Sequence, residues 1–171
     1  TINAMMLDLR TGVIEDPFGG AADLAARVLR VVDETTFGDD PLRALRAAQF
    51  AARFDLTVEE KTARLCASMP LAELKAERIS GEIEKALLQA RRPSIAFRLL
   101  TEWNQLEAIA PELSPLAKTP QDPEWHPEGD VWTHTLLSLD EARLLIDDLD
   151  VPRALAVMLG TLCHDLGKPS T

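Results

Sequence analysis

Across most of this chain the apolar residues recur every three or four positions, in short runs cut by prolines. Ile79, Ile83 and Leu87 show the pattern within residues 77–89, the periodicity of a helix with one buried face. The same reading predicts helices near 21–26, 41–54, 94–103, 131–146 and 152–163. Asp40 precedes Pro41 as an N-cap followed by proline at the first helical position, with Leu42, Leu45, Phe50 and Phe54 expected toward the core. Thr57-Val58-Glu59-Glu60 reads as a capping box opening a helix to about residue 67, which Met69-Pro70 ends. Residues 2–9 are strand-like, and Arg10-Thr11-Gly12 turns them into Val13-Ile14. Residues 28–32 are expected to be extended. A lone hairpin is marginal in water, so it is expected to finish a sheet whose other strands lie upstream. The other end follows a polar cluster at a helix end, and the chain is expected to be a fragment. The expected fold is mainly α: a short β-hairpin remnant of that sheet, a multi-helix unit, then a truncated helical unit.

Prolines 111, 115, 120, 123 and 127 interrupt the helical pattern and predict a connector between two helical units. No run of 18 apolar residues exists, which excludes a spanning helix, and nothing at the start resembles a secretory leader. With Cys66 and Cys163 far apart among apolar neighbours, the chain is expected to be cytoplasmic, with two reduced core thiols. The 171 residues carry a net charge of −10, which by itself argues against a nucleic-acid surface. The average hides a division. Residues 41–100 hold 11 Lys and Arg against seven Asp and Glu, whereas 101–171 hold four against 13. The basic middle, with Arg43, Arg46 and Arg53 near one face, is where an RNA would find positive charge.

Two constellations carry chemistry. In Asp39-Asp40-Pro41-Leu42-Arg43-Ala44-Leu45-Arg46, Asp40 and Arg43 stand three apart at a helix start and project to one side. A carboxylate accepts and a guanidinium donates, so the pair complements the exocyclic amine and bare ring nitrogen of cytosine or adenine. Guanine and uracil present the opposite polarity, and a mismatch leaves polar groups unpaired. Equally, Asp40 reads as a helix cap and Arg43 as an ion-paired or solvated residue. The second constellation is His134 with His164-Asp165, imidazole and carboxylate being common ligands of first-row cations. A surface His134 and a helix-terminal His164 are the plainer alternative. Lys168 is a candidate for holding a phosphate, or an ordinary loop lysine.

Thr1-Ile2-Asn3-Ala4-Met5, Asp16-Pro17-Phe18-Gly19-Gly20, the Asp39–Arg46 run and Glu77-Arg78-Ile79 with Glu82 and Lys85 occur in this order. The series resembles the bacterial tRNA nucleotidyltransferase (CCA-adding enzyme) and poly(A) polymerase family. His126-Pro127-Glu128-Gly129-Asp130 with His134, then His164-Asp165-Leu166-Gly167-Lys168, resembles the HD phosphohydrolase domain fused to many of those enzymes. The resemblance implies four regions: 1–32 as the end of a nucleotidyltransferase head, 33–110 as a helical nucleotide-selecting and RNA-binding neck, 111–127 as the connector, and 128–171 as the start of the HD domain. It also implies that Asp40 and Arg43 select CTP or ATP by the pairing edge, with Arg46 and Asn3 in the same nucleotide site. Asp39 stands where the family commonly has Glu. Glu77, Arg78, Glu82 and Lys85 would stabilise the pocket.

His134, His164 and Asp165 would ligate a divalent transition metal or Mg²⁺ at a phosphatase or phosphodiesterase site. A further Asp ligand of that family lies downstream of the matched residues, so the site is expected to be incomplete here and to bind metal weakly or not at all. The carboxylates that hold two Mg²⁺ ions for transfer in the family lie upstream of the matched region, so no catalytic residue of the transferase is expected here and the fragment alone is expected to be inactive. The implied partners are the tRNA 3′ end, CTP and ATP. The alternatives are a poly(A) polymerase, a metal-dependent phosphohydrolase on a helical RNA-binding platform, and a non-catalytic RNA-binding scaffold.

Overall fold

A computed structural model describes residues 1–122 and 124–170. The hairpin is there but short: β1 (Met6–Leu7) pairs antiparallel with β2 (Ile14–Glu15). Gly12 in the left-handed region (φ 72°) makes the turn, the backbone that glycine adopts at no steric cost. The strand-like reading of 2–9 overreached. Ile2–Ala4 is a 3₁₀ turn, the Ala4 N–H donating to the Thr1 carbonyl, and the paired strand starts only at Met6. Met6, Leu7, Leu9, Val13 and Ile14 are exposed, because among the described residues no second layer lies on the hairpin.

Asp16 explains the turn after it. Its carboxylate accepts the N–H groups of Gly20 (2.6 Å) and Ala21 (2.9 Å) and so caps α1 (Gly20–Ala25). Gly20 packs so closely on the Thr1 carbonyl and Met5 that a Cβ would clash, at 2.9 and 3.0 Å. This tether lays residues 1–5 over the start of α1. The chain then forms β3 (Val28–Leu29), one turn of α2 (Glu34–Phe37), α3 (Leu42–Phe54), β4 (Thr57–Val58) and α4 (Glu60–Ala67). β3 and β4 run parallel, Val28 opposite Thr57. Thr57 is therefore a strand residue and not the cap. Glu59 caps α4 instead, accepting the Thr62 N–H at 3.1 Å. The pattern marked the helix start but not its cap: Glu60, the carboxylate of the expected box, pairs with Arg64 instead.

Helix α3 is the centre of the first half. Its buried face is mostly small: Ala44, Ala47, Ala48, Ala51 and Ala52 beside Leu42 and Leu45. Small residues let α5 (Ala76–Gln89) and α6 (Ser94–Glu102) approach closely. Phe54, expected inside, is 40% exposed and stacks obliquely on Phe50 at 5.9 Å, because Asp55 takes the left-handed conformation that ends the helix there. Pro41 stands at the helix boundary, one residue after the expected cap, although the Asp40 carboxylate still accepts the Leu42 N–H at 3.2 Å.

A single turn, α7 (Leu106–Ile109), leads into the proline-rich stretch. That stretch is more than a tether: a 3₁₀ turn at Ser114–Lys118 buries Leu116, and Leu113 before it is buried as well. Helices α8 (Val131–Arg143) and α9 (Val151–Cys163) follow as an antiparallel pair. α8 ends three residues before the expected 146. Asp130 and Asp150 cap these helices through the N–H groups of Thr133 and Arg153. One apolar cluster runs from Leu29 to Leu162. Phe97 of α6 meets Trp132 of α8 edge to face at 6.3 Å, and the Trp132 indole donates to Thr101 Oγ1 at 3.0 Å. Asp140 of α8 accepts the N–H and hydroxyl of Ser94 at the start of α6. Among the described residues no helix is long and apolar enough to cross a membrane. Both cysteines are free thiols, Cys66 buried and Cys163, against expectation, exposed.

Candidate nucleotide cavity and metal cluster

Arg43 and Arg46 leave α3 on successive turns and enter a cavity of about 350 Å³. Its walls come from distant parts of the chain: Thr1 and Asn3 from the first turn, Arg30–Asp33 beyond β3, Thr36 and Phe37 of α2, and Ala47 and Phe50 of α3. The fold thus brings Asn3, Arg43 and Arg46 together. Arg43 is braced through Nη1 by the Thr36 carbonyl, which leaves the rest of a five-donor guanidinium for a ligand. Arg46 is aimed from the other side: its Nε lies 3.6 Å from Glu82 Oε1, which also takes the Lys85 ammonium at 2.9 Å. Glu82 is almost fully buried on α5, so the two cations beside it offset the desolvation of its charge.

Asp40 is placed differently. It is not in the cavity wall. Its carboxylate is gripped by Arg78 of α5, with Nη2 at 3.0 and 2.8 Å from the two oxygens. Partial burial works against the charged form, but the Arg78 guanidinium and the Leu42 N–H outweigh it and hold the Asp40 carboxyl below the usual carboxylate range. Arg78, Glu82 and Lys85 therefore all tie down residues of the Asp39–Arg46 run or their partners, whereas Glu77 is exposed on α5. Arg53 is not with the other two arginines; it stacks over the Phe54 ring at 5.2 Å.

In the second half the ends of α8 and α9 converge. His134, His164 and Asp165 each offer a ligand atom within 4.8 Å of the others, and the two rings lie 5.5 Å apart. The His164 Nδ1 is 2.7 Å from the Thr161 carbonyl and its Nε2 is 3.2 Å from Asp165 Oδ2. These residues are chemically suited to a divalent cation: two imidazoles and one largely buried carboxylate. Lys168 is drawn into the cluster, its ammonium 2.8 Å from Asp165 Oδ2 and 2.7 Å from Gln121 Oε1.

Sequence reasoning missed Glu128. Its Oε1 meets Nδ1 of His134 at 2.6 Å and Nδ1 of His126 at 3.1 Å. Its own backbone N–H, then the two histidines, push the Glu128 carboxyl down to about 2. Glu128 stood within the quoted His126–Asp130 motif, but spacing did not reveal that Gly129, at φ 107°, folds this loop back onto α8. A groove of about 760 Å³ leads away from His134 and His164 between α8 and α9, past Leu137, Leu145 and Val157.

The chain is 45% identical over 175 residues to the multifunctional CCA protein of Haemophilus ducreyi, covering 98% of this chain and 42% of that protein. The chain is homologous to the multifunctional CCA proteins. The Pasteurella multocida protein of that name is 42% identical over 178 residues, 100% of this chain and 41% of the relative. The chain thus spans about two fifths of the length of these relatives. No family model matches it. Among solved structures, the Thermotoga maritima CCA-adding enzyme complexed with tRNA superposes with a TM-score of 0.63 at 28% identity, covering 95% of this chain and 38% of that one. A CCA-adding enzyme in complex with CTP gives 0.60 at 28%, covering 93% and 38%. The helical fold and the ordered motifs both agree with this homology to CCA proteins.

Proposed function

We propose that this chain is the nucleotide-selecting helical region, with the adjoining metal-binding helices, of an enzyme that adds C and A from CTP and ATP to the tRNA 3′ end. The observation that carries the proposal is the convergence of Asn3, Arg43 and Arg46 on one cavity in a chain homologous throughout to CCA proteins. In the intact enzyme the tRNA 3′-hydroxyl would attack the α-phosphate of the nucleotide in line and release pyrophosphate. Residues 33–110 would serve as the neck and 128–171 as the beginning of an HD domain, in a cytoplasmic enzyme. The chain's own part is selection: the Arg43 guanidinium, braced by Thr36, donates to the pairing edge, and Asp40, which stands outside the cavity wall in the grip of Arg78, has to turn toward the bound base to supply the acceptor. Charge supports an RNA partner for the neck, given the basic balance of residues 41–100.

The relatives' shared name favours CCA addition over poly(A) addition. His134, His164 and Asp165 are the residues that would hold a divalent cation, which at such a site polarises a phosphoryl oxygen. They support a fused phosphohydrolase, with Lys168 beside the Asp165 carboxylate as a candidate phosphate contact. Mg²⁺ for nucleotide transfer is not assigned to any residue of this chain. Replacing Arg43 with Ala in the full-length enzyme tests the selection role. Loss of discrimination for C and A with phosphatase activity intact supports it; unaltered nucleotide addition excludes it.

A further inference from the structure

We infer that Glu128 is a positioning residue for the metal cluster: it holds the Nδ1–H of His134, so that Nε2 of that ring is the atom offered to a cation together with His164 and Asp165. This rests on the metal reading of the cluster given above. Distance separates the two roles open to Glu128. Two ligands of one ion, each about 2.0–2.2 Å from it, stand roughly 2.9 Å or more apart at ordinary coordination angles. The His134 Nδ1 and Glu128 Oε1 are 2.6 Å apart, a separation that needs a proton between them, not a metal.

His164 follows the same plan with a different acceptor. Its Nδ1 meets the Thr161 carbonyl at 2.7 Å, which turns its Nε2 toward Asp165 at 3.2 Å. Both rings are therefore held at Nδ1 by an oxygen and present Nε2, the arrangement by which a second shell fixes tautomer and ring angle. The same Glu128 oxygen takes Nδ1 of His126 at 3.1 Å. His126 packs edge-on to His134 with centroids 5.0 Å apart, and keeps that carboxylate in place.

The test uses Glu128→Ala and Glu128→Gln, with long-range ¹H–¹⁵N imidazole NMR of this chain at pH 8.5 without metal, and titration of the full-length enzyme with Ni²⁺. In the unaltered protein His134 is expected to carry its proton on Nδ1. Glu128→Ala is expected to move that proton toward Nε2 and to weaken Ni²⁺ binding at least tenfold. Glu128→Gln keeps a carbonyl acceptor and is expected to retain the tautomer and stay within about threefold in affinity, which also controls for misfolding. A proton on Nε2 of His134 in the unaltered protein would overturn the inference. So would weaker Ni²⁺ binding in Glu128→Ala with the tautomer unchanged, which would make Glu128 a ligand. Failure of the unaltered full-length enzyme to bind millimolar Ni²⁺ while His134 keeps its Nδ1 proton would instead overturn the metal reading and, with it, the purpose assigned to Glu128.

Discussion

The Arg43 cavity and the His134 cluster are built on opposite plans. The cavity gathers residues 1 to 62, from a 3₁₀ turn, one strand and three helices, and its arginines are aimed by α5 through Glu82 and by α2 through Thr36. The cluster draws His126, Glu128, His134, His164 and Asp165 from two helix ends and one loop. A site assembled from distant elements depends on the packing of all of them. A site made at two capped helix ends depends on the ring orientations fixed by Glu128 and Thr161.

That contrast decided what was legible in the sequence. The helices were, because period is local: Ile79, Ile83 and Leu87, three and four apart, all fall within α5. The convergence of His134, His164 and Asp165 was legible from their places at two helix ends. Glu128 was not, since its role needs the loop turned back at Gly129. The alanine face of α3 was hidden as well, because alanine gives little hydropathy contrast while fixing how closely helices pack. Nor could spacing show that Arg78, 38 positions away in sequence, takes the Asp40 carboxylate.

The largest expected effect breaks the comparison at its seam. Phe97 is fully buried against Trp132 between the two regions. Phe97→Ala should cost about 3–5 kcal/mol, and both regions should still melt in one transition by calorimetry. Two separate transitions in the unaltered protein would show that the shared cluster does not couple them. A smaller cut at the same seam is Asp140→Ala, which removes the acceptor at the start of α6. It should cost about 1–2 kcal/mol by urea denaturation and leave Ni²⁺ binding unchanged, since it touches neither histidine.

The smallest effect sharpens the Arg43 side alone. Arg78→Ala should cost about 0.5–1 kcal/mol, because the pair with Asp40 is partly exposed. Its pH dependence has a definite sign. The Asp40 carboxyl is lowered in the fold, so its contribution is present above the ordinary Asp value of about 3.9 and is lost as pH falls through the lower folded value. Acid denaturation of Arg78→Ala should therefore show a smaller stability loss below about pH 4 than the unaltered protein. Equal losses would remove Arg78 as the cause.

Selection by the braced Arg43 guanidinium is the central claim, and single-nucleotide incorporation by the full-length enzyme measures it. With Arg43→Ala, kcat/KM for CTP and ATP should fall by roughly 10²-fold or more, with little change for GTP and UTP, as expected when one donor of a pairing edge is lost. Undiminished preference for CTP and ATP in that variant would contradict the account.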